Sequence, residues 1–130
     1  MKNKQDIGAL ILRVVLAVIF IGHGAQKFQD GIENSVGWFD SIGLPGFLAY
    51  IVAGIELIGG IAMLLGLATR IVGGLFVLVL LGAIMTVQLA TGFIGGYAYD
   101  LALLAISVYF LLNGSKLFSL DYYISKTRNK

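Results

Sequence analysis

The sequence predicts an all-α fold, an integral membrane four-helix bundle with a short interfacial helix in the first outer loop. Composition is the first observation: 58% of the 130 residues are hydrophobic and only 12% are charged. A soluble domain of this length leaves a large share of its surface in water, so it does not accommodate so many apolar residues. The second observation is that the apolar residues form four stretches, each near the ~20 residues that a helix needs to cross a bilayer.

The four spans are placed by these stretches at residues 7–27, 47–67, 71–92 and 97–116. The whole chain, 1–130, then forms a single membrane domain that ends in a basic tail at 117–130. The first stretch is a span rather than a cleaved signal peptide, because its apolar run is too long, contains Arg13 and lacks a small-residue cleavage site.

The connections between the spans differ in length. GLATR and GFIGG predict tight hairpins, whereas QDGIENSVGWFDSIGLPG is long enough to carry structure of its own. In that loop Ile32, Val36, Phe39 and Ile42 recur at helical spacing, which predicts a short helix lying on the membrane or over the bundle. Pro45 suits the first turn of the following span, where a missing N–H costs nothing.

The basic residues predict the orientation of the bundle. Only Lys27 falls on the side of the first loop, which also carries Asp30, Glu33 and Asp40. The positive-inside rule therefore predicts a multi-pass protein of the cell membrane with both termini in the cytoplasm. The basic residues assigned to the cytoplasmic side are Lys2, Lys4, Arg70, Lys116, Lys126, Arg128 and Lys130.

One carboxylate, Glu56, lies inside the second apolar stretch, in GIELIGGIAMLLG. A lone charge near the middle of a bilayer costs at least ~2.5–3.5 kcal/mol, so it needs a partner or a proton. Arg13 is the basic residue within the first span, which runs antiparallel to the second. Counting from the predicted span ends leaves a height difference of roughly 5–6 Å between the two residues. We therefore expect a buried Arg13–Glu56 ion pair, either as a structural pin or as part of a proton or substrate relay.

A second polar set lies nearer the outer face. His23 and Lys27 share a face of the first helix, while Gln88 and Asp100 each lie about one turn inside their spans. These groups and Trp38 are candidate ligands for a quinone or phenol, a flat apolar ring with oxygens at its ends. The alternative is that Lys27 and His23 reach the headgroups while Gln88 and Asp100 hydrogen-bond to neighbouring helices.

Several function classes are disfavoured by composition. The chain has no cysteine, which excludes disulfides, thiol redox relays and thiolate metal sites, and its single histidine excludes bis-histidine haem within one chain. We predict no metal site and no covalently bound cofactor. The net charge of +2 is too small to indicate nucleic acid. The sequence leaves open whether the bundle forms a homo-oligomer.

Two stretches, LRVVLAVIFIGHGAQKF and WFDSIGLPGFLAYIVAGIELIGGIAMLLGLATR, resemble the DoxX family of small four-span membrane proteins, in particular its CatD- and MhqP-like branch. The resemblance implies a link to quinone pools and protection against catechol and quinone stress. It carries no catalytic residue onto this chain, because none is settled for the family. The residues that carry it are Arg13, His23, Gly24 and Lys27, Gly43 to Pro45, Glu56, Gly59 and Gly60, and Thr69 and Arg70.

Two hypotheses of function follow. In the first, the chain is a membrane oxidoreductase, or the quinone-binding subunit of one, that receives electrons from a soluble redox enzyme, since it has no cysteine pair and no glycine-rich nucleotide loop. In the second, it is a small proton-coupled transporter of aromatic compounds or a membrane scaffold for partner enzymes, with Glu56 as a protonatable gate in the transporter.

Overall fold

The computed structural model describes residues 3–128, and this part of the chain is helical throughout, with short connections. Four of its helices are long and apolar enough to cross a membrane, which confirms the predicted fold class. The helices in chain order are α1 (Lys4–Gln29), α2 (Ile32–Ser41), α3 (Leu48–Leu65), α4 (Thr69–Thr91), α5 (Ala98–Asn113) and α6 (Leu120–Arg128).

The predicted spans differ from the helices mainly at their ends. Helix α1 begins three residues earlier than predicted, with Asn3 accepting a hydrogen bond from the backbone N–H of Asp6 at 2.8 Å. The predicted short helix in the first loop is present as α2, with Phe39 buried beneath it. Pro45 lies before α3 rather than in its first turn, and its carbonyl accepts from the N–H of Leu48. Lys2 and Lys130 lie outside the described residues.

The two ends of the bundle carry different structures. We call the end that holds Asn3 and α6 the terminal end, and the end that holds α2 the loop end. At the terminal end the Asp121 carboxylate accepts hydrogen bonds from the backbone N–H groups of Ala68 and Thr69, at 2.6 and 2.8 Å. Since Ala68 offers no capping side chain, Asp121, which is 53 residues further along the chain, caps the first turn of α4.

Glycines set the register of α1 against α3. A Cβ added at Gly24 would lie 2.6 Å from the backbone nitrogen of Leu57, and one added at Gly60 would lie 2.9 Å from the nitrogen of Ile21. The two backbones therefore touch directly at these levels, as small residues allow where lipid removes the hydrophobic drive for helix association.

The interior between the four spans is mainly apolar and closely packed. The rings of Phe20 and Phe76 stack with centroids 3.8 Å apart, beside the fully buried Leu16 and Phe110. Gly73 brings α4 against α5, because a Cβ there would lie 2.8 Å from the backbone nitrogen of Leu111. This packing fixes the positions of the helices whose loop-end segments surround the cavity described below.

Gly24→Ala is expected to lower the free energy of unfolding by about 1–3 kcal/mol, because the new methyl group meets backbone atoms that cannot move aside alone. Gly22→Ala is the matched control. It lies in the same helix with nothing within 4 Å of an added Cβ, so it should be neutral or slightly stabilising. Thermal unfolding in detergent measures both changes, and equal midpoints for the two variants would contradict the register.

Candidate functional site at the loop end

The predicted Arg13–Glu56 ion pair is wrong, because Glu56 is paired with Lys27 instead. The Lys27 Nζ atom lies 2.6 Å from Glu56 Oε1, with the side chains 27% and 10% exposed. Within residues 3–128 this is the only ion pair. The carboxylate inside the second span thus has the compensating charge that its depth requires, supplied from the C-terminal turn of α1.

The register explains the error. The contacts of Gly24 with Leu57 and of Gly60 with Ile21 place Ala25 level with Glu56. Arg13 lies twelve residues from Ala25, about 18 Å along the helix axis and far beyond the 5–6 Å expected from the span ends. Lys27 is two residues from that level, so its flexible side chain reaches the carboxylate by pointing back into the bundle.

Arg13 serves the terminal end. Its side chain is 1% exposed, and it donates hydrogen bonds to the Ser115 hydroxyl at 3.0 Å and to the carbonyl oxygens of Leu117 and Phe118 at 3.0 and 2.8 Å. Its Nε is the one buried side-chain nitrogen or oxygen without a hydrogen-bond partner in the described part of the chain. Arg13 therefore fastens the segment between α5 and α6 to α1 and is not part of the loop-end site.

The Lys27–Glu56 pair forms part of the wall of a cavity of about 340 Å³ between α2, α3 and α4. Trp38 and Phe39 of α2 lie on one side, Gln88 of α4 on another, and the remaining lining is mostly aliphatic. Leu78, which is 67% exposed on the outside of the bundle, also contributes to the wall, so the cavity adjoins the lipid-facing surface. The volume lies within the ~300–1,000 Å³ typical of small-molecule sites.

Gln88 reaches this cavity at the end of a π-helical turn, Ile84–Gln88, in α4. Such single turns interrupt the α-helical repeat and are frequent at functional sites. Within this turn, the Thr86 hydroxyl donates to the carbonyl of Gly82 at 2.7 Å. The side-chain amide of Gln88 makes no hydrogen bond to residues 3–128, which leaves both its donor and its acceptor available in the cavity.

His23 and Asp100 lie on a neighbouring face. His23 lines a second cavity of about 270 Å³ under α2, which shares Lys27, Trp38 and Phe39 with the first. The His23 Nε2 atom is 3.4 Å from the Tyr99 hydroxyl, and Asp100, buried beside Tyr99, is within electrostatic range of the imidazole. Asp100 does not line either of these cavities.

The structure thus brings together Lys27, Trp38 and Gln88 from the predicted ligand set. It places His23 in the adjoining cavity and Asp100 outside both. Glu56, which the sequence analysis paired with Arg13, belongs to this site. Tyr99, the hydrogen-bond partner of His23, was not predicted. The spacing of Lys27 and Glu56 relative to the close glycines Gly24 and Gly60 is the signal that would have found the true pair.

Comparison with known proteins shows which family the chain matches. The DoxX family model matches residues 8–89. The chain is 49% identical over 126 residues to a Bacillus subtilis (strain 168) protein named "Putative oxidoreductase CatD", with 97% of this chain and 93% of that protein covered. It is 30% identical to the uncharacterized membrane protein Rv3486 of Mycobacterium tuberculosis, covering 90% of this chain and 81% of that protein. No solved structure matches the chain.

Proposed function

Because the chain belongs to the DoxX family and is similar to a relative named "Putative oxidoreductase CatD", we propose that it binds a quinone in the loop-end cavity as part of a membrane redox system. The observation that carries the proposal is the Lys27–Glu56 ion pair on the wall of an otherwise mainly apolar cavity inside a membrane protein. Burying charged groups inside a membrane costs free energy, and a purely apolar cavity wall would avoid that cost. An ionisable pair in the wall of an intramembrane cavity is therefore a candidate for a functional role.

The lining suits the two ends of a quinone ring. The Lys27 ammonium has donors to spare for one carbonyl oxygen, and the Gln88 amide offers a donor for another. Trp38 and Phe39 supply aromatic faces for the ring, and the exposed Leu78 marks the side from which an apolar molecule enters out of the lipid.

Reduction of such a ring to its hydroquinone takes two electrons and two protons. In the proposal the electrons come from a separate soluble two-electron donor, such as a reduced flavoprotein, because this chain has no cysteine for a thiol relay. Glu56 and Lys27 lie beside the proposed position of one ring oxygen and exchange one of the two protons with it, and His23, in the adjoining cavity, exchanges the other.

The orientation is part of the proposal. Lys4, Arg70, Lys116, Lys126 and Arg128 all lie at the terminal end or in α6, whereas the loop-end lysine is neutralised by Glu56. By the positive-inside rule, the terminal end faces the cytoplasmic side of the cell membrane, and the quinone cavity lies in the outer half of the bilayer.

Redox turnover by the purified protein tests the proposal. We expect quinone reduction with a supplied flavoprotein donor, or quinol oxidation with an acceptor, to be faster with the protein in vesicles than with empty vesicles. Proton-coupled movement of an aromatic solute without redox change would instead support the transporter hypothesis, which the buried Glu56 also favours. Absence of both activities, together with absence of bound quinone after native purification, would overturn the proposed function.

A further inference from the structure

The terminal end contains a cavity that the proposed function does not use. It has a volume of about 500 Å³ and lies where α4 begins, α5 ends and α6 returns over them. Its polar lining includes the exposed side chains of Arg70, Lys116, Asn113 and Ser125. Tyr122 forms a further side of it.

The charge of this cavity is unbalanced. Arg70 and Lys116 make no ion pair within residues 3–128. The one carboxylate in the lining, Asp121, already accepts hydrogen bonds from the backbone N–H groups of Ala68 and Thr69 and from the Thr69 hydroxyl. The lining therefore carries two cations and one carboxylate, a net charge of +1, and that carboxylate is turned to the N-terminal turn of α4 rather than paired with either cation.

The cavity also adjoins an apolar surface. Ile71, which is 68% exposed, lies in its wall, and Leu67, in the connection just before α4, is also exposed. A soluble anion would gain no binding energy from this apolar surface, whereas a molecule with a charged headgroup and hydrocarbon chains would contact both parts of the site. Arg70 lies in the first turn of one candidate membrane span and Lys116 follows the end of another by three residues, so we expect both cations at the level of the lipid headgroups.

We propose that this cavity binds the phosphate headgroup of an anionic phospholipid between Arg70 and Lys116, with the acyl chains lying along Ile71. The guanidinium supplies paired N–H donors for phosphate oxygens, and the ammonium supplies a second charge. Lys116 and Tyr122 also line a larger neighbouring cavity, of about 840 Å³, whose charged lining is Lys116, Lys126 and Asp6, so its net charge is also positive. Because α6 forms one side of the site, a bound lipid would hold α6 against the bundle.

Lipid binding by the purified wild-type chain and two variants tests this site. The test variant is Arg70→Gln/Lys116→Gln, and the matched control is Lys4→Gln/Arg128→Gln, which removes two cations from the same end outside the cavity. Native mass spectrometry and thermal midpoints in detergent are recorded with phosphatidylglycerol, with phosphatidylcholine and with glycerol phosphate.

We expect the wild type and the control to bind phosphatidylglycerol in preference to phosphatidylcholine, and the test variant to bind it about 10- to 30-fold more weakly. Equal affinity of the test variant and the control overturns the proposal, as does a thermal shift that glycerol phosphate reproduces without lipid. Since Arg70 packs near Gly114, Lys116→Gln alone serves if the double variant fails to fold, with an expected loss of about fivefold. An unchanged affinity in that single variant also contradicts the site, and none of these readouts depends on the loop-end cavity.

Discussion

Replacing Arg13 with alanine is expected to remove at least about 3 kcal/mol from the free energy of unfolding. The guanidinium is almost completely buried and donates to the Ser115 hydroxyl and to the carbonyls of Leu117 and Phe118. Alanine removes all three hydrogen bonds and opens a space between α1 and the segment that leads into α6. Unfolding in mixed micelles, followed by circular dichroism, measures the loss.

Two further variants define the cause. Arg13→Lys should recover only part of the loss, because a point charge on a flexible stem does not reproduce the planar fork that reaches neighbouring carbonyls. Lys4→Ala, an exposed residue of the same helix, is the control for loss of a positive charge and should change stability by less than about 0.5 kcal/mol. A loss in Arg13→Ala no larger than in the control would contradict this role.

Lys27→Met is expected to destabilise the bundle by about 2–4 kcal/mol, because it leaves the Glu56 carboxylate in the membrane interior without its counter-charge. Adding Glu56→Gln should recover most of that loss, since the double variant contains neither charge. The same unfolding measurement gives the coupling energy of the pair. Arg13→Ala combined with Glu56→Gln should show additive losses, because 18 Å of helix separates the two side chains.

Additive losses for Lys27 and Glu56, or rescue of Arg13→Ala by Glu56→Gln, would reverse the assignment of the pair. The first outcome would show that the 2.6 Å contact carries no coupling. The second would restore the pairing that the span ends predict. The two cycles share one single variant, Glu56→Gln, so each serves as the control for the other.

Much of the architecture follows from composition and pattern alone. Four spans, two tight connections and a short helix after the first span are all legible in the alternation of apolar runs with polar or glycine-rich segments. These features depend on the transfer of apolar surface into lipid, to which every residue of a span contributes. They are therefore insensitive to errors of a few residues at the ends.

The ion pair was not predictable in the same way, because it depends on how far one helix slides along another. A shift of two turns, set by Gly24 and Gly60, moves Arg13 from the neighbourhood of Glu56 to the terminal end. The acceptors that Arg13 finds there are mostly backbone carbonyls, which have no sequence signature. The cap supplied by Asp121 is equally hidden, since it joins residues 52 apart in sequence.

The loop-end cavity lies between these cases. Lys27, Trp38 and Gln88 were expected to meet because each lies near the same membrane surface. Asp100 does not join them, because its helix packs mainly against α4 and its buried side chain lines neither cavity. The π-helical turn that ends at Gln88 has no clear pattern in the sequence.

The most direct measurement of the central claim uses Trp38, the only tryptophan of the chain, which lines the loop-end cavity. Titration of the protein in nanodiscs with a short-tailed 1,4-benzoquinone should quench its fluorescence saturably. The double variant Lys27→Met/Glu56→Gln should bind the quinone at least about 10-fold more weakly, since a hydrogen bond to a charged donor is worth about 1.5–3 kcal/mol. Lys4→Met is the matched control and should retain the wild-type affinity. Equal affinity in all three proteins, or quenching that rises without saturation, would contradict the claim that the Lys27–Glu56 pair holds a quinone oxygen.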